Sequence, residues 1–175
     1  HVFGVEPQFE RNRAGTDAYE PGSIFKAVTI SGALSDGLTT PSTRYHLAPT
    51  IRVADRVIHE AHERGSVTYT TRDILVDSSN VGAVTIGMDM GKRGLLKWVG
   101  RFGFGALTGI DFPGEVEGIV PRQWSGSTIG NVPMGQGIAV TPLQMACAFS
   151  VLADKGMWVQ PHLVAQIGTE QAPRA

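Results

Sequence analysis

The sequence predicts an α+β fold in which helices gather on one side of a sheet. Three observations lead there. Most of the clear elements are helices; strands show only weakly; and no repeat, linker or low-complexity tract divides the 175 residues, so residues 1–175 read as one domain or a large piece of one. Hydrophobic content of 42% and charged content of 18% are ordinary for a chain that builds a core.

The elements follow in order. Residues 1 to 22 are polar and irregular and read as a loop into the first helix. Ser23 reads as its N-cap, with Pro21-Gly22 fixing the approach. Ile24 to Ser35 is apolar nearly all round, the mark of a buried helix, and Gly37 is placed to end it. Residues 41 to 69 alternate without helical period, as in Val57-Ile58-His59, and read as short strands or extended loops. Thr71 to Val76 reads as a short helix leading to Ser78, Val81 to Met90 as a second closed by Gly91, and Lys92 to Phe102 as a third. Gly103 to Ser127 is rich in Gly and Pro and reads as a long ordered loop. Thr141-Pro142 marks a helix start, with the helix running to about Asp154. An extended segment from Met157 toward Val164 and a ragged end at 168–175 complete the reading.

Composition narrows function. A net charge of −1 gives no reason to expect nucleic acid or an anionic membrane surface as a partner. No apolar run approaches the ~20 residues that cross a bilayer. No signal peptide is visible, and a first residue of His1 leaves any export signal or membrane anchor upstream. Cys147, the single cysteine, permits no internal disulfide and reads as a small buried residue.

The chemistry-bearing residues fall into two short motifs 55 positions apart. Ser23-Ile24-Phe25-Lys26 at the start of an apolar helix sets a hydroxyl and an amine one turn apart, an arrangement suited to a serine nucleophile with a lysine base. Ser78-Ser79-Asn80 adds a second hydroxyl and an amide, able to relay a proton and hold an amide substrate. Alone, these are weak signals. With ten serines and four lysines, chance gives roughly 0.2 occurrences of S-x-x-K; Ser23 could be a cap, Lys26 a solvated lysine, and Ser78 and Asn80 turn formers. His59-Glu60-Ala61-His62-Glu63 evokes a zinc helix, but its histidines are three apart rather than four, and a solvated polar stretch is the better reading. Gly103-Phe104-Gly105 and Gly135-Gln136-Gly137 read as turn glycines rather than a dinucleotide loop, and Trp98, Trp124 and Trp158 as core or loop anchors. No metal or cofactor is expected.

Context raises the weight of the two motifs. Asp17 to Lys26 resembles the nucleophile segment of penicillin-binding transpeptidases, and Ser78-Ser79-Asn80-Val81-Gly82 resembles their second motif at the expected separation. Phe102-Gly103-Phe104-Gly105 with Thr108 to Glu115, and Gly135 to Ala146, resemble segments of the class B, single-function members. The four matches run in order over about residues 12 to 162.

The resemblance implies a partial penicillin-binding or serine β-lactamase-like transpeptidase fold, mostly its helical part, with sheet strands missing at both ends. It implies that Ser23 attacks the penultimate D-alanine carbonyl of a peptidoglycan stem peptide while its backbone N–H serves the oxyanion. Lys26 would take the Ser23 proton, its pKa lowered by burial against Phe25 and Val28 and by the helix N-terminus. Ser78 would relay a proton to the departing D-alanine, and Asn80 would bind the peptide and orient Lys26. Expected partners are the D-alanyl-D-alanine stem, β-lactam antibiotics, other cell-division or elongation proteins and a glycan-polymerising enzyme. The expected location is the outer side of a cell membrane, reached through an anchor outside this chain.

The third family motif, K-T-G or K-S-G, is absent, since the lysines are Lys26, Lys92, Lys97 and Lys155. The chain therefore reads as an internal slice with weak or no activity in isolation. Two other readings stay open. One is a β-lactam-sensing or β-lactam-hydrolysing relative, for which no deacylating Glu or modified Lys is evident; the other is a non-catalytic cell-wall scaffold.

Overall fold

The computed structural model describes residues 11–165. The proposed ragged end and the first ten residues of the entry loop lie outside them. The described residues hold six α-helices, two short 3-10 turns and four strands, an α+β arrangement. Helix α1 is the single turn Arg13–Thr16. A 3-10 turn, Gly22–Phe25, leads into α2, Lys26–Ser35.

Helix α2 is buried because its apolar residues cover its whole circumference. Phe25 and Val28 join one core cluster with Val99, Phe104, Val140 and Met145. Ile30 and Ala33 join another with Leu47, Ile74, Ile86 and Leu95. Each fully buried aliphatic or aromatic side chain contributes about 1.5–3 kcal/mol. The helix ends as its sequence indicates: Gly37, at φ +70°, lets its own N–H reach the Leu34 carbonyl and that of Leu38 reach Ala33.

The alternating segment forms four strands, β1 Arg44–Leu47, β2 Thr50–Val53, β3 Arg56–His59 and β4 Val67–Thr70. They pair antiparallel as β1 with β4 and β2 with β3, the latter placing Thr50 opposite His59. Helix α3, Thr71–Val76, opens on a capping box between Thr70 and Asp73.

Helix α4 spans Asn80–Arg101 and breaks at Gly91 (φ 65°, ψ 172°), so it is the two consecutive helices that the sequence divides at that glycine. Glycines on α4 allow close packing. A Cβ on Gly87 would lie 2.2 Å from Pro133 Cγ, and one on Gly82 would lie 2.6 Å from Ile74 Cγ1. The long loop after Arg101 carries no helix or strand until α5, Thr128–Asn131, which runs into the 3-10 turn Val132–Met134. Helix α6, Pro142–Ala153, starts on a capping box from Thr141 to Gln144.

Beyond α6 the expected extended segment forms no strand pair among the described residues. It is held to the loop instead: the Asp111 carboxylate accepts the backbone N–H groups of Leu163 (2.6 Å) and Val164 (3.1 Å). Cys147 is buried, and that burial raises its thiol pKa, with Glu115 adding to the effect. Trp98 and Trp124 pack against the core, and the Trp158 ring covers Gly103. No helix among the described residues is long and apolar enough to cross a membrane.

One local expectation is corrected. Ser23 does not cap α2. It lies inside the 3-10 turn, where no side-chain cap bond forms, because the tighter turn carries the chain into α2 and Lys26 N–H donates to the Ser23 carbonyl. Ser23 is an exposed residue there, and its hydroxyl is not spent on capping the helix.

Candidate active site

Three distant stretches of chain converge at the start of α2. The turn carrying Ser23 is held from behind by the Gly135–Val140 segment. Gly22 N–H donates to the Gly135 carbonyl (2.9 Å), Gly137 N–H donates to Glu20 Oε1 (2.8 Å), and Tyr19 pairs with Val140. Gly135 has φ +77°, and a Cβ there would lie 2.2 Å from the Gly22 oxygen, so only glycine permits this approach. Gly103, Gly105 and Gly137 also have positive φ, as turn glycines do.

Lys26, one turn beyond Ser23, is 1% exposed. Its Nζ donates to Asn80 Oδ1 (2.7 Å), to Ser78 Oγ (3.0 Å) and to the Ser78 carbonyl. Burial of the ammonium lowers its pKa from 10.5 to about 8, against the opposing pull of Glu60. The structure thus brings Lys26, Ser78 and Asn80 into direct contact, with the Ser23 hydroxyl exposed at the head of the same helix.

Ser78 owes its position to the end of α3. Its N–H donates to Leu75 and that of Ser79 to Ile74, the six-residue helix stop that ordinarily uses glycine. Ser78 adopts φ +54° there, a left-handed conformation that costs a non-glycine residue about 1–2 kcal/mol. Of the two bonds from Lys26 to Ser78, the one to Oγ goes to the side chain that glycine would lack. Ser79 then caps α4 by accepting from Gly82 N–H (2.9 Å), and Asn80 opens that helix with its amide nitrogen donating to the His59 carbonyl (2.9 Å).

Sequence reasoning missed Glu60. The stretch around it is not uniformly solvated. The Glu60 side chain is 8% exposed and accepts from Ser79 Oγ (2.6 Å), from Asn80 N–H (2.6 Å) and from Arg64 (2.5 Å). Burial alone would raise its pKa, but the bonds from Ser79, Arg64 and Asn80 N–H outweigh burial and hold it below the usual carboxylate range. Its signal in the sequence was slight: an acid in a β3–β4 connection, visible as a site member only once strand register is known. Among the described residues no group of three or more His, Cys, Asp or Glu could hold a metal ion.

Beside Asn80 lies a cleft of about 340 Å³ lined by Arg56, His59, Asn131, Met134 and Gln136. A larger depression of about 600 Å³, lined by Ser31, Trp98, Arg101 and Leu152, shares none of these residues. An exposed hydroxyl, a buried amine of lowered pKa and a second hydroxyl on that amine can together carry out nucleophilic acyl transfer.

Comparison with known proteins shows the family of the chain. The model of the penicillin binding protein transpeptidase domain matches residues 5–175. Penicillin-binding protein PbpB of Mycobacterium tuberculosis is 36% identical over 155 residues, covering 87% of this chain and 23% of that protein. Peptidoglycan D,D-transpeptidase FtsI of Escherichia coli is 30% identical over 160 residues, covering 90% and 27%. The chain thus spans about a quarter of the length of the curated relatives it matches. The crystal structure of penicillin binding protein 3 from M. tuberculosis superimposes with a TM-score of 0.84 at 37% identity, covering 86% of this chain and 34% of that one. The same protein has been crystallised with aztreonam and with ampicillin.

Proposed function

This chain belongs to the penicillin binding protein transpeptidase domain family, and on that premise we propose that it carries the nucleophile half of a peptidoglycan D,D-transpeptidase of class B type. The observation that carries the proposal is the Lys26 amine, buried, bonded to Ser78 and Asn80, and poised at a pKa of about 8 one turn from the exposed Ser23 hydroxyl.

The reaction runs in two acyl transfers. Neutral Lys26 takes the Ser23 Oγ proton as Oγ bonds to the carbonyl carbon of the penultimate D-alanine, and the Ser23 N–H supports the oxyanion. The bond to the terminal D-alanine nitrogen breaks, and that nitrogen receives a proton from Lys26 through Ser78. An amine of a neighbouring stem then attacks the ester carbon, loses a proton by the reverse path and releases Ser23. Asn80 orients Lys26 through Oδ1 and lines the cleft that would hold the donor peptide. A β-lactam acylates Ser23 by the first transfer, its ring C–N bond opening while the amine stays tethered. The setting is the outer face of a membrane, among cell-division or elongation proteins; the relatives include Stage V sporulation protein D of Bacillus subtilis as well as peptidoglycan D,D-transpeptidase FtsI of Escherichia coli.

The test uses the full-length gene product and a fluorescent penicillin. We expect one covalent adduct, mapped by mass spectrometry to the peptide containing Ser23, and none in Ser23→Ala. Unlabelled wild type under excess reagent, or a labelled Ser23→Ala, would overturn the reading. Rapid hydrolytic release of the adduct would favour the β-lactam-hydrolysing relative. Release of D-alanine from a D-alanyl-D-alanine peptide, dependent on an added amine, distinguishes transpeptidation from mere penicillin binding.

A further inference from the structure

Glu60 lies outside the four sequence segments on which the resemblance was read, yet it touches the site from behind. Its two carboxylate oxygens divide the work. Oε2 accepts the backbone N–H of Asn80, the residue whose side chain holds Lys26. Oε1 accepts the Ser79 hydroxyl, between Ser78 and Asn80, and the Arg64 guanidinium. Two of the three residues of the second motif, Ser79 and Asn80, are therefore indexed to one carboxylate, which also sits at the N-terminus of α4, where a negative charge is favoured.

We propose that Glu60 is a positioning residue for acyl transfer: it fixes the Ser78–Asn80 segment against Lys26 and places its carboxylate charge behind the residues that hold that amine. This rests on the reading of Ser23 and Lys26 given above.

The charges around the pair make the direction definite. Lys26 faces Ser78 and Asn80, neither of which ionises in the working range, and feels Glu60 as its opposite charge. Glu60 faces Arg64, which neutralises part of it, and shares a cleft of about 330 Å³ with His62, Glu63, Tyr69 and Asp77. Arg64 lies over the Tyr69 ring at 5.7 Å and also donates to the Leu47 carbonyl, so the counter-ion is itself anchored on β1 and β4. Removing the charge of Glu60 makes the Lys26 ammonium easier to deprotonate; removing the charge of Arg64 does the reverse.

The experiment measures the acylation rate constant of the full-length protein with benzylpenicillin from pH 6 to 10. Wild type gives a rising limb, whose midpoint reports Lys26, and a plateau. In Glu60→Gln the plateau falls, by up to roughly 100-fold if the second motif shifts by about an ångström. The midpoint moves to lower pH. Glu60→Asp restores the midpoint toward wild type while its shorter arm leaves the plateau lowered. Arg64→Met, which keeps the apolar stem and leaves Glu60 in place, moves the midpoint to higher pH, so the idea stays testable even if Glu60→Gln fails to fold. A purely structural role would lower the plateau or the yield of folded protein without moving any midpoint. Unmoved midpoints in both Glu60→Gln and Arg64→Met, or equal shifts in Glu60→Asp and Glu60→Gln, would overturn the proposal. Wild type that is never acylated at Ser23 would instead remove the reading beneath it.

Discussion

Gly135 and Gly22 meet backbone to backbone: the Gly22 N–H donates to the Gly135 carbonyl, and the Gly135 α-carbon faces the Gly22 oxygen too closely for any Cβ. This contact fixes the turn that presents Ser23. Gly135→Ala therefore combines a left-handed conformation, costing about 1–2 kcal/mol, with a clash against main chain that no rotamer relieves. Gly37→Ala is the matched control, with φ +70° and nothing within 4 Å of the added carbon. Thermal unfolding should show Gly37→Ala destabilised by about 1 kcal/mol and Gly135→Ala by more, and only Gly135→Ala should slow penicillin acylation. Equal destabilisation with acylation intact in both would mean the contact does not shape the turn.

Lys26 makes stability depend on alkaline pH. In the unfolded chain it titrates near 10.5, and in the fold at about 8. Between those values the unfolded chain binds a proton that the fold does not, so this group's contribution rises with pH across the interval, by up to about 3 kcal/mol. Below pH 8 both states are protonated and the cost of burying the charge is present in full. Denaturant melts of wild type and Lys26→Met at pH 7.5 and pH 10 check this. The stability of Lys26→Met relative to wild type should be greater at pH 7.5 than at pH 10.

Ser78 separates strain from function. Glycine at its left-handed position relieves the backbone and alanine does not, so Ser78→Gly should be more stable than Ser78→Ala by about 1 kcal/mol. Both lack the hydroxyl that Lys26 reaches, and both should lose most transpeptidation. A Ser78→Gly protein with full turnover would exclude Ser78 from proton relay.

Gln144, 1% exposed, is a joint between α6 and the long loop. Its amide nitrogen donates to the carbonyls of Ala106 (2.8 Å) and Glu117 (2.9 Å), while its oxygen accepts from Thr141 N–H (2.9 Å). Gln144→Leu keeps the bulk but strips three backbone groups of a partner, each worth about 1–3 kcal/mol when left buried. A loss of at least about 3 kcal/mol in chemical denaturation is expected; a near-neutral change would show that water replaces the amide.

What the sequence disclosed and what it withheld divide along sequence distance. Helix α2, the break at Gly91 and the start of α6 were legible because each is written in local periodicity, a glycine or a Thr-Pro cap. The pairing of Lys26 with Ser78 and Asn80 was legible only through resemblance, since nothing local joins positions more than 50 residues apart. Glu60 stayed hidden because its role depends on a β2–β3 ribbon folding it back onto α4, and its neighbours in sequence are polar. Ser23 was misread as a cap because serine before an apolar run usually is one. Here a 3-10 turn does the work of starting the helix.

The contacts that build the site also dictate when it can exist. Helix α2 is local and can form early, but Lys26 meets Ser78 across 52 residues and Gly22 meets Gly135 across more than a hundred. Closing such loops must precede any reward from them, so they are late events in folding. On the proposed reading, the refolding full-length protein should regain its helical signal before it regains any capacity to trap penicillin. Covalent capture would then serve as a clock for the last step of folding, and a protein stalled with those loops open would be helical, compact and drug-blind.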